Sequence, residues 1–211
     1  MNGSLKVKKI GIAVLLIFIG IVARIWLYKF LPPTPHIYIT LHGIKQPLFM
    51  MDMFFIIAAI SLISGKYLGG YSSFIIPFSI MAITDFIIGN NIIFLFTWSG
   101  FAMMGFIGYL LRKNSFLKFY GYSLLAIILY DIWTNFGCWI GWYSRDLQGL
   151  ILCYTLALPF MFWHIISTLA ILPAFAIPFE KADLIESEKA LEKYATISST
   201  IFLMALSIIA L

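Results

Sequence analysis

At 211 residues, 62% of them hydrophobic and only 11% charged, with a mean hydropathy of +0.99, the chain reads as one integral membrane domain, which excludes a soluble domain on a tether. A net charge of +5 invites a nucleic-acid reading. The basic residues, however, fall in short loops between apolar runs, where they set membrane orientation, and nucleic acid is excluded as a partner.

Seven apolar runs follow in order, residues 10–31, 49–64, 73–88, 92–111, 119–142, 149–177 and 196–211. Each lies near the ~20 residues needed to cross hydrocarbon, the second, third and seventh being short and needing flanking residues or local thinning. Lys6, Lys8 and Lys9 precede the first run as in a secretory signal, but Arg24, Trp26 and Tyr28 stand where small residues would mark cleavage, so the run is expected to be a retained helix. Pro32, Pro33 and Pro35 end it, Gly69 and Gly70 part the second and third runs, and Asn90 and Asn91 the third and fourth.

The predicted architecture is an all-α polytopic membrane bundle: a domain over residues 1–179 with six core spans, a charged cytoplasmic helix over 180–195 and a seventh span over 196–211. Lys and Arg distribution orients it. With the N-terminus cytoplasmic, that side holds Lys66, Arg112, Lys113, Lys118 and the lysines of both ends, and the outer side only Lys29, Lys45 and Arg145. The segment from Glu180 to Tyr194 mixes acids and lysines at near-helical spacing, as a solvated surface does, and no chemistry is assigned to it.

Chemistry is sought among polar residues inside the apolar runs, since a carboxylate in lipid is costly unless it faces a cavity or a partner. Asp85 ends the third span one turn below the outer surface. Asp131, Asn135, Trp139 and Trp142 follow at steps of four, four and three along the fifth. Counting back from the loop at Arg145 and Asp146 sets Asn135 level with Tyr154 and Thr155, and His42, Lys45, Gln46 and Asp52 open the second span from the same side. Pro159 frees the Thr155 carbonyl and predicts a kink or opening that a cavity would tolerate. The candidate ligand-binding residues are therefore Asp85, Asp131, Asn135, Trp139, Trp142, Tyr154 and Arg145, with Asp131 as floor and Trp139 and Tyr154 as mouth. Plainer readings stand beside these: Trp139 and Trp142 as interfacial belt residues, Asp131 with Asn135 as a helix-to-helix hydrogen-bond pair, and His164 as a packing residue.

At Pro77, Thr84-Asp85 and Gly89, then Thr134-Asn135-Phe136-Gly137-Cys138-Trp139, then Tyr143 through Gly149 and Ala157-Leu158-Pro159-Phe160, the sequence resembles an uncharacterised family of small membrane proteins. That family is similar to the substrate-binding S components of energy-coupling factor transporters. The resemblance covers about residues 49–177 and implies capture of a vitamin-like or cofactor-precursor solute from outside, with partner ATPases and a transmembrane coupling subunit energising release. Where family members carry an Asn and a Gly-Asp after the Pro-Phe, this chain has His164 and Ser167-Thr168.

The expected function is substrate binding and uptake at the cell membrane, with lipid and a small solute as partners and no cofactor. A His or Cys cluster with metal-ligand spacing is missing from the sequence, which argues against metal uptake. Without a Walker A sequence the chain cannot pump by ATP hydrolysis alone. The alternatives are a cysteine transpeptidase-like membrane enzyme using Cys153 or Cys138 with His164 and Arg145, and a structural subunit of a membrane complex. The enzyme reading requires a helix break at Pro159, because Cys153 and His164 on one straight helix lie ~16 Å apart.

Overall fold

A computed structural model describes residues 3–30, 38–47, 55–89 and 92–181. Six helices and one hairpin follow in order: α1 (Gly3–Phe30), β1 (Tyr38–Leu41), β2 (Ile44–Pro47), α2 (Ile56–Ile63) continued by a π-helical turn (Ser64–Leu68), α3 (Ser72–Ile88), α4 (Phe94–Leu110), α5 (Phe116–Trp142) and α6 (Leu147–Lys181). The fold is helical, as composition demands. Stretches in α1, α5 and α6 are long and apolar enough to cross a membrane. Helices α3 and α4, at 17 residues each, extend about 25 Å against the ~30 Å of a hydrocarbon core.

Helix α2 sits at the centre. Every residue from Ile57 to Leu68 is buried, which fits a segment apolar on all sides. It packs against α1, α3, α4 and α6, while α5 lies on α4 and α6. The outward surface is apolar too: Val14 and Phe18 of α1, Leu125 and Leu129 of α5, and Leu158 and Phe162 of α6 are exposed, as lipid-facing positions should be.

Close approach at the centre depends on two glycines of α4. A Cβ on Gly105 would collide with the Ser73 carbonyl of α3, and one on Gly108 with the Leu62 carbonyl of α2, so neither backbone can retreat from a side chain there. Gly121 of α5 has open space around it. Gly105→Ala should therefore lower stability by about 1–3 kcal/mol through overpacking, whereas Gly121→Ala should raise it by up to about 1 kcal/mol through helix propensity. Thermal unfolding of the two variants in detergent checks the opposite signs.

The hairpin was not foreseen from sequence. His42 and Gly43 both take positive φ, 49° and 76°, the conformation of a tight two-residue hairpin turn, and Lys45 lies over the Tyr38 ring. His42, Lys45 and Gln46 thus belong to the hairpin rather than to the start of α2, and Asp52 lies outside the described residues. So do the charged segment beyond residue 181 and the seventh run.

At the α6 C-terminal end, Lys66 is wholly buried rather than in an exposed loop. Its ammonium donates to the Asn114 carbonyl at 2.8 Å, lies 3.3 Å from the Glu180 carboxylate and sits over the Phe119 ring. The Tyr67 hydroxyl donates to the same carboxylate. These contacts tie α6 to the π-helical turn.

Candidate functional site

A cavity of about 390 Å³ opens between α4, α5 and α6. Helix α5 contributes Asp131, Asn135, Cys138 and Trp142; α6 contributes Cys153, Ala157, Phe160 and His164; Ile93 and Thr97 at the start of α4 form the third wall. Trp142, 57% exposed, and Tyr143 stand at the end nearest the α5–α6 turn. At about 1.5 Å per residue, Asp131 lies roughly 16 Å further along α5.

The deep end is polar and buried. Asp131 is 1% exposed and His164 6%, and His164 Nδ1 lies 2.6 Å from Asp131 Oδ1, the geometry of a ring N–H donating to a carboxylate. Phe55 stacks on the imidazole at 3.9 Å between centroids, and the Tyr130 ring meets it edge-on. This packing fixes the imidazole plane. The second carboxylate oxygen, Oδ2, is buried with no hydrogen-bond partner among the described residues, a costly arrangement that calls for a donor.

Four other lining groups donate hydrogens to backbone. Thr97 donates to the Phe94 carbonyl, Thr134 to Tyr130, the Asn135 amide to the Asp131 carbonyl at 2.7 Å and the Cys153 thiol to the Asn135 carbonyl at 3.4 Å. Asn135 and Asp131 are thus linked through backbone. The two threonine hydroxyls keep acceptor lone pairs, and Asn135 keeps its side-chain oxygen and one amide hydrogen.

Four sequence-predicted residues are placed elsewhere. Asp85 is held by Arg24 of α1 on Oδ1 and by the Trp98 indole N–H of α4, 2.6 Å from Oδ2, and Arg24 also donates to Thr84. Both Asp85 oxygens are engaged in joining three helices, so α4 and not α3 closes the cavity. Trp139 donates to the Ser144 carbonyl, because at 3.6 residues per turn it lies about 80° round α5 from Asp131, whereas Trp142 lies only about 20° away. Tyr154 lies about 100° round α6 from Cys153 and donates to the Ile132 carbonyl. Exposed Arg145 donates to the Ile140 carbonyl.

The turn between α5 and α6 is built to be tight. Asp146 Oδ1 accepts the Gly149 N–H at 2.6 Å, capping α6, and accepts the Ser144 hydroxyl at 3.0 Å. A side chain at 149 would strike the Ser144 carbonyl. The Gly149 N–H, then the Ser144 hydroxyl, hold the Asp146 carboxyl below the ordinary carboxylate range. A folded pKa below the unfolded value gives stability that is present above the unfolded pKa and lost as pH falls through the folded one. Thermal unfolding should accordingly show Asp146→Ala less stable than the parent at pH 7, with the gap closing once the pH passes below the lowered pKa.

Helix α6 continues through Pro159, Pro173 and Pro178, so the break required by a Cys153–His164 catalytic pair is not present. His164 instead reaches Asp131. The cavity is lodged between antiparallel apolar helices, and one family model aligns with residues 6–190. The chain belongs to DUF6580, a family of unknown function. No curated protein and no solved structure matches it.

Proposed function

We propose that the protein is a multi-pass cell-membrane protein, N-terminus cytoplasmic, that captures a small vitamin-like or cofactor-precursor solute from the outer side, as an S-component-like substrate-binding subunit whose release is energised by a coupling subunit and ATPases. Six spans would come from α1 to α6 and a seventh from residues 196–211, and the excess of Lys and Arg in the alternate loops supports the orientation. One observation carries the binding reading: the Asp131 carboxylate, one of whose oxygens is buried without a hydrogen-bond partner among the described residues, belongs to the lining of a cavity of about 390 Å³, within the size range of small-molecule sites. A structural carboxylate would be expected to have both oxygens engaged, as Asp85 does.

Outer-side capture requires the α5–α6 turn to face outside. In a cysteine-free background, Arg145→Cys should react with a membrane-impermeant thiol reagent added to intact cells, and Lys113→Cys should react only after lysis. Reaction at 113 with silence at 145 in intact cells would reverse the orientation and remove the uptake reading.

A further inference from the structure

We infer that the solute is an organic cation with a flat apolar body, bound through an N–H donated to Asp131 Oδ2. This rests on the capture reading above and adds the chemical class. Charge, hydrogen-bond polarity and shape carry it independently of one another.

Charge comes first. Among the described lining residues Asp131 and His164 are the ones that can carry charge near neutral pH, and neither Lys nor Arg lines the cavity. In the neutral-imidazole form, with Nδ1–H donated to Oδ1, the pair holds one negative charge in a site of low dielectric. A carboxylate or phosphate solute would be repelled there and would find no cationic partner, whereas an ammonium completes the ion pair.

Hydrogen-bond polarity points the same way. The Thr97 and Thr134 hydroxyls and the Asn135 amide each give one hydrogen to a backbone carbonyl, so their oxygens are left to accept. The other donors on lining residues, among them the second Asn135 amide hydrogen, the Cys138 thiol, the Trp142 indole and the Tyr143 hydroxyl, are neutral. A solute rich in acceptors would leave Asp131 Oδ2 unsatisfied, at the cost of a buried unpaired group.

Shape supplies the apolar body. Leu156, Ala157 and Phe160 line the cavity between the rim, where Trp142 stands, and the carboxylate. A ring placed between those side chains with an alkylammonium arm pointing down α5 would reach Asp131.

An isosteric series separates charge from shape: tryptamine, the neutral alcohol tryptophol and the anion indole-3-acetate share one ring and arm length. Added to the purified full-length protein in detergent, tryptamine should raise the melting temperature in a saturable way and bind at least tenfold more tightly than tryptophol, with indole-3-acetate inert. In Asp131→Asn, which keeps side-chain volume and an oxygen for His164, tryptamine affinity should drop at least tenfold. Equal or stronger binding of tryptophol or indole-3-acetate to the parent protein overturns the inference without reference to any variant, as does tryptamine binding that is unchanged in Asp131→Asn. Mass analysis of molecules extracted from the purified protein distinguishes the two levels: a retained neutral or anionic solute removes the cation assignment and leaves solute capture standing. No retained solute and no response to any of the three probes would remove both.

Discussion

His164→Ala destabilises the detergent-solubilised protein by about 1.5–3 kcal/mol, the range expected when a hydrogen bond to a buried carboxylate is deleted and the acceptor is left in low dielectric. The imidazole is sandwiched as well as bonded, with Phe55 stacked on its face and Tyr130 at its edge, so truncation also opens a void beside α2. Asp131→Asn should behave differently. The amide preserves volume and offers a carbonyl oxygen to His164 Nδ1, so most of the stability survives, while the negative charge proposed to recruit the solute is gone. Chemical denaturation of both variants, paired with solute-binding measurements on the folded fraction, checks this division. Equal stability losses in the two would make Asp131 a structural residue first.

Arg24→Ala has the other large effect. The guanidinium is the charged partner of Asp85, whose side chain is 4% exposed, and its removal leaves that carboxylate with Trp98 alone. A loss of about 3–5 kcal/mol is expected, compared with about 1.5–3 kcal/mol for Trp98→Phe, which removes a neutral donor from a charged acceptor. Replacing Arg24 and Asp85 together by Met and Leu should recover most of the loss, because neither charge is then stranded. Solute binding by the folded fraction should be unchanged throughout, since Arg24 and Asp85 lie outside the cavity lining. Thermal melts and binding assays on the three variants measure both halves of the expectation.

Much of the scaffold was legible because apolar runs and their punctuation dictate helices in a chain this hydrophobic. The α5–α6 pairing and the polar face at Asp131 and Asn135 followed from spacing and from counting back to the Arg145–Asp146 loop. That count failed at His164 for a stereochemical reason. Helix side chains lean toward their own N-terminus, so in this antiparallel pair Asp131 leans away from the turn while His164 leans back toward it. Mirror counting sends Asp131 to the level of Pro159, yet its partner lies five residues beyond. Arg24 was the overlooked signal for Asp85: a guanidinium inside an apolar helix needs a counter-charge at its own depth, and Asp85 closes its helix at the same end. Trp139 misled because a step of four, repeated, drifts round the helix, whereas the Asp131, Asn135, Cys138, Trp142 series stays on one stripe. The hairpin at His42-Gly43 carried a turn signal in its glycine, but the strands on either side are only four residues long and were hidden beside a longer apolar run.

Native mass spectrometry of the full-length protein released from detergent, run in parallel on the parent, Asp131→Asn and Asp85→Asn, tests the binding role of the Asp131 cavity most directly. The account predicts a bound small molecule on the parent and on the folded part of Asp85→Asn, and its loss from folded Asp131→Asn. A bound molecule retained by Asp131→Asn and lost from Asp85→Asn would contradict it.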